Sequence, residues 1–263
     1  MALDYSELRD DAIKFAKAGG DSTLAYFNKS FALEFKDDES PVTNADREAE
    51  SIIRDMIRKK YPSHGIIGEE FGTENDKAEV VWILDPIDGT KSFIHGVPLY
   101  TTLIGVLVNN SPVAGVIYAP AINEIAAAAK GLGCTLNGDI CSVRKCGEIK
   151  KATFLSTDVG SFGDFGLDKP FRELVSSTRI HRTWGDAYGH MLVATGRADI
   201  MVDAILNIWD AAALYPVITE AGGSYTDVFG QATIETGNAI STTPELIPEI
   251  LSIFENHRQE NDL

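Results

Sequence analysis

Long uncharged apolar runs are absent from this 263-residue sequence. A transmembrane helix needs about 20 consecutive, mostly apolar residues, and no stretch of the chain reaches that length. The segment from Met1 to Asp11 mixes charged and apolar side chains, so it lacks the continuous apolar core of a signal peptide. We therefore expect a soluble, cytoplasmic protein that has no membrane partner.

Positive charge is also scarce. The sequence has 23 Lys and Arg residues against 39 Asp and Glu residues, which gives a formal net charge of −16. This excess of acid argues against nucleic acid or an anionic membrane as the principal partner. If a phosphate group binds, a cation or an array of backbone N–H groups must offset the repulsion locally.

Cysteine is rare, and its three positions form no recognisable metal or redox motif. Cys134, Cys141 and Cys146 include no C-x-x-C pair and no Cys/His spacing of the structural zinc type. We interpret them as reduced, structural thiols.

The sequence motifs of covalent phosphatases and of nucleotide-binding loops are missing. There is no C-x₅-R around any cysteine, no G-x-S-x-G, no G-x₄-G-K-[ST] and no D-x-D-x-T. A covalent mechanism needs a nucleophile in such a defined neighbourhood. For a phosphate substrate, direct attack by a water molecule activated at a metal site therefore remains.

The composition is that of a globular protein, with 44% hydrophobic and 24% charged residues. Apolar spacing predicts helices around residues 8–16 and 52–57, the second capped by Asn44, with a polar loop or short hairpin over residues 36–45. We predict one domain, residues 1–263, with two subdomains. Residues 1–150 combine helices with strands at 64–69 and 80–84 and an antiparallel meander over 99–137. Residues 151–263 alternate strands at 152–156, 198–202 and 224–227 with helices at 170–177, 187–195 and 209–221.

The most informative segment for chemistry follows the predicted strand at residues 80–84. Asp85 and Asp88 lie three positions apart, and Pro86 and Gly89 predict a tight turn between and after them. Carboxylate and carbonyl oxygens are the ligands that Mg²⁺ prefers, and Mg²⁺ commonly binds through few carboxylates together with substrate phosphate. An isolated Asp-Gly is more often a simple hairpin turn. Here, however, acidic residues also end the neighbouring predicted strand, at Glu69, and begin a later helix, at Asp210, and such groups converge at the edge of a sheet.

These acidic motifs resemble the signature of the inositol monophosphatase family in order and spacing. The matching segments are Gly68-Glu69-Glu70, Asp85-Pro86-Ile87-Asp88-Gly89-Thr90 and Trp209-Asp210 with Glu220-Ala221-Gly222-Gly223. Residues 41–46 and 194–199 extend the resemblance over nearly the whole chain. It implies an α+β fold built as a layered α-β-α-β-α sandwich, of the inositol monophosphatase and fructose-1,6-bisphosphatase type.

The resemblance further implies a homodimeric, Mg²⁺-dependent phosphomonoesterase with two or three ions. The implied metal ligands are Glu69, Asp85, the Ile87 carbonyl, Asp88 and Asp210. Glu69 and Thr90 would orient the attacking water, and Asp46 joins them in the implied catalytic set. Asp46 and Glu70 fit better as groups that support the ligands or hold a third ion. The implied phosphate contacts are Ile87, Asp88, Gly89, Thr90 and Asp210.

The segment at residues 181–190 resembles the histidinol-phosphate phosphatase branch of that family. Histidinol carries an ammonium group and an imidazole, which Asp186 and Asp203 would complement, whereas inositol offers only hydroxyls. Arg182 would bind phosphate, in its own subunit or across a dimer interface. Asp186 fits a helix N-cap equally well, and structural roles are favoured for His181 and His190.

Two alternatives to histidinol phosphate hydrolysis stay open. One is an inositol phosphatase or broad-specificity phosphatase of the same fold. The other is a catalytically inactive, metal-dependent regulatory or binding protein, against which the intact Thr90 and the carboxylate set argue.

Overall fold

The computed structural model describes residues 3–29, 33–35 and 41–261. Its α-helices are α1 Tyr5–Thr23, α2 Asn44–Lys60, α3 Thr90–Ile94, α4 Val159–Asp164, α5 Asp168–Ser177, α6 Asp186–Ala194, α7 Ile208–Glu220 and α8 Ile247–Asn261. Short 3₁₀ helices occupy Pro120–Ile122, Ile149–Lys151 and Pro244–Leu246. Among the described residues, no helix is both long enough and apolar enough to cross a membrane.

Within the described part of the chain, three β-sheets accompany these helices. The strands are β1 Leu33–Phe35, β2 Pro41–Thr43, β3 Gly65–Gly68, β4 Gly72–Glu74, β5 Val80–Asp88, β6 Thr101–Val108, β7 Ser111–Ala119, β8 Glu124–Ala129, β9 Gly133–Leu136, β10 Asp139–Cys141, β11 Thr153–Ser156, β12 Ile180–Arg182, β13 Ile200–Asp203, β14 Ser224–Thr226 and β15 Ala239–Thr242. Strands β1 and β2 pair antiparallel with each other. Of the loop or short hairpin predicted over residues 36–45, residues 36–40 lie outside the described residues.

The larger sheet has eight strands in the order β10-β9-β8-β7-β6-β5-β3-β4, antiparallel except for the parallel pair β3 and β5. The predicted meander is confirmed, and its turns fall at Asn109-Asn110, Pro120–Ile122 and the Lys130–Leu132 region. Both faces of this sheet are covered. In β5, for example, Trp82 packs with helix α1 residues on one face, whereas Ile83 packs with residues of α6 and α7 on the other.

The smaller sheet has five strands in the order β12-β11-β13-β15-β14. Helices α6 and α7 lie between the two sheets, and α5 and α8 cover the far face of the smaller one, where Phe171 and Ile250 meet Phe154. The layers are therefore helix, sheet, helix, sheet, helix, which confirms the predicted α-β-α-β-α sandwich.

Helix α7 approaches the larger sheet closely because two glycines of that sheet face it. A Cβ atom at Gly105 would lie 2.6 Å from the Ala212 side chain, and one at Gly115 would lie 2.2 Å from the Ala213 carbonyl. Larger residues at either position would push the helix away. This contact fixes the height at which the first turn of α7 meets the sheet.

Several elements differ from the sequence predictions. Strand β5 continues to Asp88, four residues beyond its predicted end, so the predicted turn at Pro86 is wrong. Elements α4, β12, β15 and α8 were not predicted. Among the described residues, Cys134, Cys141 and Cys146 form no disulfide. That they are reduced, structural thiols stays a prediction.

Candidate active site

The carboxylates of Asp85 and Asp88 come to one side of β5 because the β5–β6 ladder is irregular. Asp85 pairs with Leu103 and Asp88 pairs with Thr101, so three steps along β5 match two steps along β6. In a regular strand, residues three apart point to opposite faces of the sheet. The extra residue of this β-bulge returns both aspartates to the same face. Asp85 also accepts a hydrogen bond from the Ile87 N–H at 3.0 Å, which closes the bulge.

Directly after the bulge, the chain turns into the short helix α3. Gly89 has a left-handed φ of 76°, a conformation that glycine adopts without a steric cost, and Thr90 begins the helix. The Thr90 hydroxyl donates to the Ile87 carbonyl at 3.1 Å. A carbonyl oxygen has two lone pairs, so this contact leaves Ile87 one acceptor site for another partner.

The third carboxylate comes from the start of α7. Asp210 lies at the third position of the helix and accepts a hydrogen bond from the Asn207 N–H at 2.6 Å, in a capping box with Asn207. This cap fixes the carboxylate at the end of α7 that faces β5. One ligand oxygen each from Asp85, Asp88 and Asp210 lie within 4.8 Å of one another. The predicted convergence of these three residues is therefore observed.

Burial and mutual repulsion make the ionised form of this cluster unfavourable in the metal-free protein. Burial, followed by the charges of Glu69, Asp88 and Asp210, raises the pKa of Asp85 well above its usual range. Burial and then Asp186 and Asp210 do the same to the pKa of Asp88. Burial also raises the pKa of Asp210 to about 7, although the Asn207 N–H and a hydrogen bond with Asp85 oppose the change. A divalent cation would relieve this repulsion, and hard oxygen donors suit it.

We expect thermal stability to depend jointly on pH and Mg²⁺. The pKa of Asp210, about 7 in the folded chain, exceeds its ordinary value of 3.8, so the folded chain binds more protons between those pH values. This group's contribution to the free energy of unfolding therefore falls as pH rises through that window. At pH 8, Mg²⁺ at 100 times its Kd should increase the free energy of unfolding by about 2.7 kcal/mol, which raises Tm by roughly 5–10 °C.

At pH 5.5 the same Mg²⁺ addition should raise Tm less, because protons compete with the cation for the carboxylates. Differential scanning calorimetry of chelator-treated protein, with and without Mg²⁺ at both pH values, measures the two shifts. Equal Mg²⁺ shifts at pH 5.5 and pH 8 would contradict the prediction.

Glu69 and Asp46 flank this cluster. Glu69 follows β3, donates its N–H to the Leu84 carbonyl at 3.2 Å and raises the pKa of Asp85 through its charge. It therefore lies beside the strand residue that precedes Asp85. Asp46 is buried in the first turn of α2. The ligand and catalytic roles of both residues stay predictions.

Asp186 reaches the same region from the start of α6. Gly185, rather than Asp186, holds the N-cap position, so the capping interpretation of Asp186 is wrong. Asp186 has a left-handed φ of 52°, and its carboxylate lies so near Gly89 that a Cβ there would be 2.7 Å from Oδ2. Burial and then Asp203 raise the pKa of Asp186 to about 6, against the lowering effects of Lys91 and a hydrogen bond from Ser92.

Asp203, at the end of β13, is held by a buried histidine. The Nε2 atom of His190 lies 3.1 Å from Asp203 Oδ2, and its Nδ1 atom lies 2.6 Å from the Ser241 hydroxyl. His190 is fully buried, which fits the structural role favoured for it. The charge of Asp203 acts on both Asp186 and Asp210, so Asp203 lies near each of these two carboxylates.

Arg182 and His181 lie on β12, the edge strand of the smaller sheet. The exposed Arg182 guanidinium donates to the His181 carbonyl at 2.7 Å. Within the described part of the chain, this hydrogen bond does not connect Arg182 to the carboxylate cluster. His181 contacts the Ser156 hydroxyl at 3.0 Å and packs against Phe154. The predicted phosphate contact of Arg182 stays a prediction.

Two groups that hold Asp88 in place were missed in the sequence. Its Oδ2 atom accepts from the Thr101 hydroxyl at 2.9 Å and from the Ala187 N–H at 2.8 Å. Thr101 begins the strand opposite the bulge, and only the strand pairing identifies it. Ala187 contributes its backbone, so no side-chain pattern marks it.

The chain is similar in sequence and in fold to known phosphatases. The model of the inositol monophosphatase family matches residues 4–259. A histidinol-phosphatase from Chlorobaculum parvum is 42% identical over 234 residues, covering 87% of this chain and 89% of that protein. A histidinol-phosphatase from Mycobacterium tuberculosis is 36% identical, covering 84% and 86% respectively. Among solved structures, an inositol monophosphatase from Zymomonas mobilis superposes with a TM-score of 0.86 at 31% identity, covering 97% of this chain and 100% of that one.

The chain combines a layered α+β fold with a carboxylate cluster at the end of a buried strand. Together with the match to these relatives, this combination identifies the chain as a phosphoric monoester hydrolase. The chain belongs to the inositol monophosphatase family. The family, the fold and the enzyme class predicted from the sequence are confirmed.

Proposed function

We propose that this protein hydrolyses L-histidinol phosphate to L-histidinol and phosphate in histidine biosynthesis. The observation that carries the proposal is a pair of further carboxylates, Asp186 and Asp203, next to the cluster of Asp85, Asp88 and Asp210. The cluster suits the phosphate end of a substrate through a bound cation, and the pair suits a leaving group that carries an ammonium and an imidazole. Two relatives named histidinol-phosphatase support this choice.

The residues of the cluster fit Mg²⁺ as cofactor. Their donors are hard oxygens, gathered within 4.8 Å, and they are largely buried like-charged groups that need a counterion. We propose that two or three Mg²⁺ ions are held by Asp85, Asp88, Asp210, Glu69 and the Ile87 carbonyl. When bound, Mg²⁺ supplies charge neutralisation for the phosphate and activation of water.

The protein's own groups would position the water and the ester. During hydrolysis, the water oxygen bonds to phosphorus while the ester P–O bond and one O–H bond of the water break. The proton that the water gives up balances the proton that the departing oxygen gains. The Thr90 hydroxyl donates a hydrogen bond to the Ile87 carbonyl, so the lone pairs of the Thr90 oxygen are left to accept a hydrogen bond from water. With Glu69, it would orient that water, while the Gly89 and Thr90 N–H groups hold phosphate oxygens.

The pair Asp186 and Asp203 would orient the leaving group. Asp186 lies against Gly89, so a phosphate held at Gly89 would bring the esterified carbon chain near the Asp186 carboxylate. The His190 and Ser241 contacts hold Asp203 in one orientation. Arg182 would add a phosphate contact from its own or a neighbouring subunit.

Side-by-side turnover tests the substrate. With Mg²⁺, purified protein should release phosphate from L-histidinol phosphate at least about 10-fold faster, in kcat/KM, than from inositol 1-phosphate, as expected for one extra charged contact. The reverse ranking would favour the inositol phosphatase alternative, which the Zymomonas mobilis likeness supports. Mg²⁺ binding without cleavage of either ester would favour a binding protein.

We also propose a cytoplasmic homodimer built from one domain, residues 1–263, with subdomains meeting near residue 150. The larger sheet lies within residues 65–141 and the smaller within 153–242, which supports that division. Size-exclusion chromatography with light scattering tests the dimer.

A further inference from the structure

A buried ion pair in α2 anchors the turn that carries Glu69. Strands β3 and β4 form a hairpin in which Gly68 pairs with Gly72, and Glu69, Glu70 and Phe71 are its loop. Beneath this loop lie Glu50 and Arg54, one helical turn apart. Both are buried, at 0% and 3% exposure, in a helix face that is otherwise mostly apolar.

The carboxylate of Glu50 binds the loop through its backbone. Its Oε2 atom accepts from the Glu70 N–H at 2.8 Å, and its Oε1 atom accepts from the Phe71 N–H at 3.2 Å. A Cβ at Gly68 would lie 2.1 Å from Glu50 Oε1, so this position requires glycine. Glu50 therefore fixes the two peptide units that follow Glu69.

Arg54 completes the anchor. Its Nε atom donates to Glu50 Oε1 at 2.7 Å, and its Nη2 atom donates to the Gly72 carbonyl at the far end of the loop. The guanidinium also lies 5.9 Å from the centre of the Phe71 ring. One planar fork thus ties the carboxylate to the end of the hairpin, which a single ammonium group cannot reproduce.

We propose that Glu50 and Arg54 are positioning residues that set the affinity of the active site for Mg²⁺ by holding Glu69 in place. On the other side, the Glu69 N–H donates to the carbonyl of Leu84, the residue before Asp85. One end of the loop is therefore tied to β5, which carries Asp85, and the other end to α2. Groups that hold a ligand commonly change metal affinity 10- to 100-fold when replaced. The inference rests on the proposed metal site.

Glu50→Gln tests the proposal. Glutamine keeps the shape but has one acceptor oxygen, so its –NH₂ group faces a backbone N–H or Arg54 and the loop shifts. Calorimetric titration of Mg²⁺ into the protein, without any phosphate ester, should give a Kd at least 10-fold above that of the unchanged protein. Turnover should recover at high Mg²⁺, which a loss of catalytic groups would not permit.

Asp199→Asn is the matched control. Asp199 is also a buried carboxylate that pairs with an arginine, Arg144, and accepts a hydrogen bond from a backbone N–H, that of Thr153, at 2.6 Å. It lies directly before β13 of the smaller sheet, away from the Glu69 loop. The Asp199→Asn variant should lose about as much stability as Glu50→Gln does, but it should keep the Mg²⁺ Kd of the unchanged protein. Unchanged Kd in Glu50→Gln, or an equal rise in both variants, would overturn the proposal.

Arg54→Lys provides a second variant if Glu50→Gln does not fold. Lysine keeps the charge beside Glu50 but cannot also hold Gly72, so a Kd rise of about 10-fold is expected and an unchanged Kd refutes the role of the anchor. If the unchanged protein itself binds no Mg²⁺, the proposed metal site fails, which is a result distinct from failure of the anchor.

Discussion

Asp88→Asn is expected to lower kcat for the phosphate ester by about 1,000-fold or more, which corresponds to about 4 kcal/mol in the activation barrier. Within the described residues, Asp88 accepts hydrogen bonds from Thr101 and from Ala187, and both reach Oδ2. The amide oxygen of asparagine can take that place and keep both bonds. The –NH₂ group then replaces Oδ1, and it can neither bind a cation nor carry negative charge. The variant therefore removes a ligand while leaving the fold intact.

Phosphate release at saturating Mg²⁺, together with circular dichroism of the variant, measures this effect. Asp158→Asn is the control, because Asp158 lies on the surface and caps α4 by accepting a single side-chain hydrogen bond from the Gly160 N–H. It should retain full turnover. A folded Asp88→Asn variant with more than a tenth of the normal kcat would contradict the assignment of Asp88 as a ligand.

Asp186→Asn is expected to change which ester is preferred. At pH 8 the Asp186 carboxylate, whose pKa is about 6, is ionised and can pair with the cationic leaving group of histidinol phosphate. A hydrogen bond to a charged group is worth about 1.5–3 kcal/mol, so kcat/KM for histidinol phosphate should fall roughly 10- to 100-fold. Hydrolysis of p-nitrophenyl phosphate, whose leaving group carries no positive charge, should change little.

The ratio of the two kcat/KM values isolates the leaving-group contact from any effect on the phosphate site. A parallel loss with both esters would instead assign Asp186 to the general geometry around Gly89, which its carboxylate contacts. That outcome would remove the main argument for a cationic leaving group and strengthen the inositol phosphatase alternative.

Much of the fold follows from local patterns in the sequence. The meander was predictable because its turns contain residues such as Asn109, Asn110 and Asn123, which adopt positive φ more readily than most residues do. Helices α1 and α2 were predictable from apolar spacing. Strands β12 and β15 were not, because each has only three or four residues, and β15 is buried at every position and therefore shows no alternation.

The sequence predicts that Asp85, Asp88 and Asp210 converge, as the structure shows, but it does not predict the local geometry that brings them together. Pro86 suggested a turn, yet the chain continues as a strand with a bulge, and the bulge depends on pairing with Leu103 and Thr101. Likewise, no local pattern reveals that Asp186 adopts a left-handed conformation and faces Gly89. These features arise from contacts between distant parts of the chain.

A signal for the anchor was present in the sequence. Glu50 and Arg54 occupy the same helical face as Ala49, Ile53 and Ile57, where the apolar pattern predicts core residues. A charged pair four residues apart in such a stripe must be satisfied internally, because burying an isolated charge is very costly. Its pairing with the loop after β3 required the structure.

The origin of the carboxylate cluster in distant segments has a consequence for folding kinetics. Asp85 and Asp210 are 210 − 85 = 125 positions apart, so their meeting requires closure of a long loop of chain. Because loop closure costs entropy before such contacts form, we expect these contacts to be completed late in folding. A cation bound by the completed cluster therefore stabilises the native state more than the transition state. Mg²⁺ would prolong the lifetime of the folded enzyme chiefly by slowing unfolding, with little effect on the rate at which the chain folds.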